Sequence, residues 1–373
     1  MQAWSSLRAV TTSDLFTPLA FRNGIRAKNR LAVAAMTNSQ SHADGSLSDD
    51  ELHWLDVRAQ GDFGMVATCA AHIARDGQGW PGELGIFDDA LLPGLTRLAT
   101  TLRERGALSI VQIFHGGLRS PSSLIGEKPW SASEHTEPEP TRAAEPADIA
   151  RAIQQFADAA MRAHRAGFDG VELHGAHGYL LSQFLSATLN RRTDAWGGDL
   201  AGRARLIREA TRAVRAAVPA SFLVGVRLSP ENFGNAQGLD LDESLTTAGW
   251  LCEDGIDFLH ISLWDVHRNT AKRPDEHPIP LFRRACPADI PLLVAGKVWT
   301  PAEAQAVLDQ GADMVALGRA AITNPDWPLR AREPGWAPRR PPLTPEELVA
   351  RGVSPTFVGY LRHWKNFVSD TQP

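Results

Sequence analysis

Eight short apolar segments alternate with longer helical patterns along this chain of 373 residues. Most of these segments are almost continuously apolar, which is typical of parallel strands covered on both faces. The predicted strands are Leu31–Met36, Met65–Cys69, Leu108–Phe114, Gly170–His174, Phe222–Leu228, Phe258–Ser262, Pro291–Ala295 and Met314–Gly318. Eight strand–helix repeats within roughly 300 residues predict a single (β/α)8 TIM barrel, an α/β fold.

Apolar residues at helical spacing mark the segments between the strands. Within residues 148–166, one predicted face carries Ile149, Ile153, Phe156, Ala160 and His164. Further helices are predicted over residues 203–217, 241–253 and 301–310. The rival fold, a doubly wound sheet, usually carries a GxGxxG phosphate fingerprint after its first strand. Residues 34–39 read AAMTNS and lack it, which favours the barrel.

Two segments interrupt the repeat. Residues 120–146 follow the third strand, are rich in Pro, Ser and Glu, and are too long for a plain barrel loop, so we predict a lid over the barrel mouth. Residues 334–342 form a Pro/Arg linker, which leads into a helical stretch over residues 345–368. The predicted organisation is a barrel over residues 1–335, followed by a linker and a C-terminal helical extension over residues 336–373.

The composition is ordinary for a soluble globular protein. The net charge of −5 argues against a nucleic-acid partner. No run approaches the roughly 20 apolar residues of a membrane span, and residues 1–12 do not resemble a signal peptide. Cys69, Cys252 and Cys286 form no CxxC pair, so a reducing cytoplasm is expected, without a thiolate-bound iron–sulfur cluster.

Active sites of TIM barrels form at the carboxyl ends of the strands. The polar residues predicted at these ends are therefore the candidate site residues. They are Thr37, the segment Cys69 to His72, Gln112, His115, His174, His177, Tyr179, Arg227, Gly296, Lys297, Gly318 and Arg319.

The last two strands are each followed by a glycine and a cation. Gly296-Lys297 and Gly318-Arg319 could bind a phosphate, because glycine lets backbone N–H groups approach an anion and the cation adds charge. The alternative is that the glycines only turn the chain and both cations lie on the rim.

Gln112 and Arg227 lie in strand patterns that point into the barrel, where a polar side chain needs a partner. The pyrimidine edge of a flavin would supply one. An internal salt bridge or an ordinary polar layer of the barrel would do so equally well.

His174, His177 and Tyr179 allow three interpretations. Two imidazoles and a phenol just beyond a strand could bind a carbonyl oxygen and deliver a proton beside it. The histidine spacing also suits a metal, as in a hydrolase or aldolase, if His72, His115 or Glu172 supplied a third ligand. The third possibility is that both histidines merely bond to the loop backbone.

From about residue 14 to residue 329 the chain resembles the old yellow enzyme family of FMN-dependent ene-reductases. The resemblance rests on motifs in a fixed order. They are LFTPL at residues 15–19, KNR at 28–30, QIFHGG at 112–117, HGAHGYL at 174–180, FLS at 184–186, NRRTD at 190–194, WGG at 196–198 and GR at 318–319.

The resemblance implies that tightly bound, non-covalent FMN lies across the barrel mouth, where NADPH or NADH and then an electron-poor alkene react in turn. His174 and His177 match the pair that binds the substrate oxygen, and Tyr179 matches the acid that protonates the α carbon. No metal is implied. The implied FMN-binding residues are Ala35, Met36, Thr37, Ala70, Gln112, Arg227, Gly296, Lys297, Gly318 and Arg319.

Some positions depart from the pattern of related bacterial proteins, which often carry a cysteine in place of Thr37 and a tyrosine in place of Ser39. Thr37 is expected to hydrogen-bond near the flavin C4 carbonyl. Leu118 separates the strand-three motif from Arg119, so we expect a pocket wall opposite the histidines that is more open or more apolar.

A flavin-binding barrel with little turnover is a further hypothesis. The sequence leaves open the alkene, the choice between NADPH and NADH, any homo-oligomer, and whether the C-terminal residues reach a neighbouring site.

Overall fold

The computed structural model describes residues 14–369. Residues 1–13 and 370–373 lie outside this range. The prediction for residues 1–12 therefore lies outside the described residues. The same holds for the start of the predicted barrel at residue 1 and for the end of the predicted extension at residue 373.

Eight parallel strands close into a barrel, so the predicted TIM barrel is confirmed. They are β1 (Leu31–Val33), β2 (Met65–His72), β3 (Leu108–Phe114), β4 (Gly170–Gly175), β5 (Leu223–Leu228), β6 (Phe258–Ser262), β7 (Leu292–Ala295) and β8 (Met314–Leu317). The barrel closes where β8 pairs with β1, with Val315 opposite Leu31.

The first two strands end at other residues than the sequence predicts. β1 stops at Val33, so residues 35–37 belong to the loop after it, where the Asn38 side chain accepts a hydrogen bond from the backbone of Gln40. β2 continues to His72, which pairs with Phe114 of β3. The backbone of His72 also forms hydrogen bonds with the backbones of Leu84 and Ile86. Ala70 therefore lies inside a strand.

Seven main helices surround the barrel. They are α1 (Asp49–Gln60), α2 (Leu92–Glu104), α3 (Pro146–Ala166), α4 (Arg205–Ala217), α5 (Leu241–Glu253), α6 (Pro278–Ala285) and α7 (Pro301–Asp309). At the start of α7, Thr300 and Glu303 cap each other's backbone N–H groups. In α3 the buried stripe continues through Ala163, whereas His164, which the sequence placed on the buried face, is exposed. With 3.6 residues per turn, Ala163 lies on the buried face and His164 lies beside it.

The remaining elements are short. Three 3₁₀ turns cover Arg75–Gly77, Asp89–Leu91 and Gly117–Arg119. Short helices cover Ser122–Ile125, Leu180–Leu185, Leu200–Arg203, Arg319–Thr323, Trp327–Arg330, Pro345–Val349 and Pro355–Leu361. Strand pairs of two residues join Leu19–Ala20 to Arg26–Ala27 and Trp130–Ser131 to Arg142–Ala143.

Inside the barrel, the Phe258 ring packs among alanine, leucine, isoleucine and methionine side chains and against the Phe21 ring. Phe258 on β6 is fully buried and lies opposite Gly225 on β5. A Cβ atom at Gly225 would lie 2.1 Å from the Phe258 ring, so glycine is what leaves room for the ring. The lower barrel is therefore a packed core, and active sites of this fold lie at the carboxyl ends of the strands.

Residues 120–145 pack against the chain that follows β4. The Ser131 hydroxyl donates to Gln183 Oε1 at 2.8 Å. The Arg192 guanidinium donates to the carbonyl oxygens of Ala132 and Ala144 at 3.0 and 2.7 Å. These bonds hold the insertion beside the barrel mouth, and its role as a lid stays a prediction.

The C-terminal region contains two short helices rather than one helical stretch over residues 345–368. Gly352, at a φ of 75°, ends the first helical segment, and Ser354-Pro355 starts the second. Phe357 is buried with its ring centroid 5.5 Å from that of Trp54 on α1. No helix within residues 14–369 is long and apolar enough to cross a membrane.

Candidate active site

The end of β4 and the loop after it bring two imidazoles and a phenol together. The His174 ring centroid lies 5.0 Å from that of His177 and 5.0 Å from that of Tyr179. The sharp loop depends on Gly178, at a φ of 75°, where a Cβ atom would lie 2.1 Å from the Asn235 carbonyl oxygen. The three residues that the sequence predicts as catalytic therefore face one another.

Both imidazoles are neutral at neutral pH. Burial lowers the pKa of His174 and of His177 well below the usual value, and the positive charge of Arg227 lowers both further. His174 Nδ1 accepts a hydrogen bond from the Ala176 N–H at 3.4 Å, which leaves the proton of the neutral ring on Nε2. A neutral imidazole of this kind donates a hydrogen bond without bringing a charge into the pocket.

A serine links His177 to Arg227. Ser262 Oγ at the end of β6 lies 2.7 Å from His177 Nε2 and 3.1 Å from Arg227 Nη2. Because the guanidinium can only donate, Ser262 Oγ accepts from it and has its own hydrogen to donate to His177 Nε2. In that arrangement neutral His177 carries its proton on Nδ1.

Tyr179 is enclosed by aromatic rings and one cation. The ring centroids of Phe114 and Trp80 lie 4.5 and 6.4 Å from that of Tyr179, and the Arg119 guanidinium carbon lies 4.2 Å from it. Burial raises the pKa of Tyr179, although the charge of Arg119 acts in the opposite direction. The phenol therefore keeps its proton at neutral pH and is able to donate it.

The expectation of an open or apolar wall after Leu118 is wrong. The Leu118 N–H donates to Gln183 Oε1 at 3.1 Å, and Leu118 itself is buried. The 3₁₀ turn that contains Leu118 directs Arg119 back over the Tyr179 ring, where Arg119 Nη1 donates to the His177 carbonyl oxygen at 2.9 Å. The wall beside the phenol is therefore cationic.

Gln112 and Arg227 belong to a buried polar layer. Gln112 Nε2 donates to Glu172 Oε1 at 2.7 Å, and His260 Nδ1 lies 2.7 Å from Glu172 Oε2. Burial would raise the pKa of Glu172, but His260, Arg227 and Gln112 together hold it below the usual value. The ionised carboxylate thus balances Arg227 and orients Gln112, which agrees with the polar-layer interpretation and leaves the remaining donors of both side chains available.

Several observations fit a flavin ring beside this layer. Arg227 Nε is buried and has no hydrogen-bond partner among the described residues. Arg227 Nη1 donates to the Ala35 carbonyl oxygen at 3.3 Å, and Ala70 lies opposite Gln112 in the sheet. A buried donor without a partner is costly, so a ligand with acceptor atoms suits this position.

The predicted phosphate-binding residues differ in their surroundings. Lys297 Nζ lies 3.0 Å from Asp265 Oδ2 and 5.6 Å from the centre of the Trp264 ring, so its charge is already balanced. The exposed Arg319 side chain has no ion pair or hydrogen bond within residues 14–369. Gly318 lies next to Met36, whose Sδ would be 3.4 Å from a Cβ atom at that position. Gly296 adjoins Leu263, whose carbonyl oxygen would lie 2.5 Å from an added Cβ. Arg319 is therefore the better candidate for an anion.

The metal interpretation finds no third ligand. Within the described part of the chain, no group of three or more His, Cys, Asp or Glu side chains is placed to hold a metal ion. Glu172, the carboxylate considered for this role, is hydrogen-bonded to Gln112 and His260.

The sequence patterns missed several residues that reach this site. His260 and Ser262 could have been found, because they alternate with apolar residues on β6, a strand that the sequence did predict. Tyr360 of the C-terminal extension carried no local signal. Burial raises its pKa, and hydrogen bonding with the side chains of Trp364 and Thr37 opposes this effect, which places Tyr360 beside Thr37.

Comparisons with known proteins agree with this geometry. The model of the NADH:flavin oxidoreductase / NADH oxidase family matches residues 14–334. A probable NADH-dependent flavin oxidoreductase of Bacillus subtilis is 36% identical over 329 residues, which cover 86% of this chain and 88% of the relative. An NADH:fumarate oxidoreductase of Klebsiella pneumoniae is 33% identical over 331 residues, which cover 85% of this chain but only 36% of that longer protein.

Solved structures show the same likeness. The old yellow enzyme homologue from Zymomonas mobilis superposes with a TM-score of 0.79 and is 29% identical. The match covers 90% of this chain and 98% of that one.

Proposed function

The chain belongs to the NADH:flavin oxidoreductase / NADH oxidase family, that of old yellow enzyme, and we propose that it is an FMN-dependent ene-reductase. In this proposal NADPH or NADH is the reductant, and the substrate is an α,β-unsaturated carbonyl compound or a related electron-poor alkene. The observation that carries the proposal is the buried group of two neutral imidazoles and a protonated phenol at the barrel mouth.

The proposed FMN site uses the residues that the resemblance implies. Arg227 and Gln112 would bind the flavin ring, Thr37 would bind near its C4 carbonyl, and Arg319 would bind the phosphate together with the backbone around Gly296 and Gly318. Loop residues 35–36, Ala70 and Lys297 would complete the site, which has no covalent attachment. When bound, FMN supplies a hydride acceptor for NAD(P)H and a hydride donor for the β carbon of the alkene.

The side chains of this protein supply the remaining chemistry. His174 and His177 would donate hydrogen bonds to the substrate oxygen and stabilise the negative charge that develops there. Since both rings are neutral, neither gives up a proton of its own. Tyr179 would donate a proton to the α carbon as a general acid, and its raised pKa keeps that proton in place until it is needed.

The proposed setting is a reducing cytoplasm. Cys69, Cys252 and Cys286 are all buried free thiols, as a protein without disulfides would have. The proposed partners are the nicotinamide and the small alkene, with no nucleic acid, and association into a homo-oligomer stays a prediction.

The first experiment is anaerobic spectroscopy of the purified protein. We expect a yellow protein whose flavin absorbance bleaches with NADPH or NADH and returns when an enone is added. Bleaching by dithionite but by neither nicotinamide would favour a flavin-binding barrel with little turnover. Colourless protein with stoichiometric zinc would instead favour a metal-dependent hydrolase or aldolase that uses His174 and His177.

A further inference from the structure

Arg119 brings a positive charge into the pocket, and no acidic side chain among the described residues is paired with it. The only hydrogen bond of its side chain within residues 14–369 goes to the His177 carbonyl oxygen at 2.9 Å, and no ion pair of Arg119 is found there. Arg319 also lacks an ion pair within these residues, but the proposed function assigns it to the FMN phosphate, and two other cations of the mouth have acidic neighbours. Arg227 faces the ionised Glu172, and Lys297 is paired with Asp265.

The groups around Arg119 do not compensate its charge. His174 and His177 are neutral, because burial lowers the pKa of both. Glu83 is the carboxyl group whose charge would act on Tyr179, but burial raises its pKa well above the usual value and so disfavours its charged form. Within residues 14–369, the charge of Arg119 on the substrate side of the pocket is therefore not balanced by an ion pair.

The guanidinium is also held in place before any substrate arrives. It stacks on the Tyr179 ring at 4.2 Å, and the bond to His177 fixes one of its nitrogens. The other N–H groups remain available for a ligand. A planar guanidinium held in this way suits a carboxylate, which accepts two parallel hydrogen bonds.

Building on the proposed ene-reductase function, we infer that Arg119 makes the pocket selective for activated alkenes that carry a carboxylate. The histidine pair would bind the carbonyl oxygen, and Arg119 would bind the carboxylate on the side where Tyr179 delivers its proton. Arg119 is thus a specificity-determining residue of the proposed reaction.

A purely structural role for Arg119, as a support for the Tyr179 ring, predicts a different result and can be separated from this one. The test compares an enone carboxylic acid with its methyl ester in the flavin-loaded protein and in Arg119→Gln. We expect kcat/KM for the acid, divided by that for the ester, to fall about tenfold, as for loss of one charge-assisted hydrogen bond. If the substitution disturbs Tyr179, it slows the reaction of the acid and of the ester equally, so this disturbance does not change the ratio of the two kcat/KM values.

Two further variants sharpen the comparison. Arg119→Lys keeps the charge but not the planar fork, so it should retain part of the preference for the acid. Arg97→Gln removes one positive charge from an exposed pair with Asp49 and should leave the ratio unchanged. An unchanged ratio in Arg119→Gln, or an equal drop in Arg97→Gln, would overturn the inference.

A binding measurement gives a readout that does not depend on turnover. The oxidised flavoprotein is titrated with benzoate and with methyl benzoate, followed by the flavin absorbance. The Kd for benzoate should rise in Arg119→Gln and with added salt, while the Kd for the ester should change little. Equal behaviour of the two ligands would argue against a carboxylate site. If neither the acid nor the ester reoxidises the reduced flavin, the proposed function fails, and the titration still decides the role of Arg119.

Discussion

Tyr179 lies between a cation and two aromatic rings, and this placement decides what the phenol can do. Contact with Phe114 and Trp80 removes water from the ring and raises the pKa of the phenol. Arg119, on the same ring, favours the phenolate that forms once the proton has left. The surroundings of Tyr179 thus keep the phenol protonated before the reaction and stabilise the phenolate that remains after the proton has been transferred.

The substitution Tyr179→Phe tests the role of the phenol. It should slow reoxidation of the reduced protein by an enone by about a hundredfold or more, the range of general acid catalysis. Reduction by NADPH should change little, because that half-reaction needs no proton from Tyr179. Stopped-flow absorbance measures both half-reactions separately, and an equal loss in the two would contradict the assignment.

The pH dependence of reoxidation follows from the shifted pKa values. Those of His174 and His177 lie well below the usual 6.5, and that of Tyr179 lies above the usual 10.0. All three groups therefore keep one protonation state between these limits. We expect a flat rate of enone-driven reoxidation across this interval, with a loss only above it as Tyr179 ionises. A midpoint near neutrality in stopped-flow measurements that disappears in His174→Gln or His177→Gln would show that a histidine changes charge during the reaction.

At the scale of the elements, the register of neighbouring strands sets the positions of the polar side chains at the barrel mouth. His174 on β4 lies opposite Arg227 on β5, which in turn lies opposite His260 on β6. Parallel pairing with this register sets the three side chains at the same level of the barrel. The packed ring of Phe258 lies two residues before His260 on β6 and supports the polar layer.

A pair of glycine substitutions tests this support. Gly225→Ala would place a methyl group 2.1 Å from the Phe258 ring, so it should destabilise the protein by about 1–3 kcal/mol. Gly249→Ala in α5 meets only the Ala285 carbonyl oxygen, at 3.5 Å, and should stabilise by about 0.5–1 kcal/mol because it removes a helical glycine. Urea denaturation measures both, and equal effects would mean that crowding inside the barrel is not the cause.

At the scale of the whole molecule, the C-terminal extension joins distant parts of the barrel. Arg351 Nε donates to the carbonyl oxygen of Thr323 at 2.9 Å, and Thr323 is the last residue of the helix that starts at the candidate anion site. Phe357 packs on Trp54, and Tyr360 reaches Thr37. The extension of the same chain thus contributes to the wall of its own candidate site.

The substitution Phe357→Ala tests the docking of the extension. Removing this fully buried ring should cost about 3–5 kcal/mol of stability, as for other buried phenylalanines. Val349→Ala in the preceding helix, where the side chain is 49% exposed, should cost less than about 0.5 kcal/mol. Thermal denaturation of both variants is the measurement. A loss of similar size in the two would show that the extension does not depend on this contact.

The sequence by itself determined the barrel and the residue types at its mouth. Continuous apolar runs between helical patterns are a local property of the chain, and they predicted all eight strands with errors of a few residues at the ends. The ordered motifs around His174, His177 and Tyr179 identified the family for the same reason, since each motif lies within a few consecutive residues.

Only the tertiary structure decided which partners these residues meet. Ser262 and His177 are 85 positions apart, and Arg119 is 58 positions from the carbonyl that it contacts. The pairing of Lys297 with Asp265 likewise depends on the packing of two neighbouring barrel loops. Periodicity and motifs act over a few residues, whereas a charge inside a pocket depends on groups that only the closed barrel brings within a few ångströms of one another.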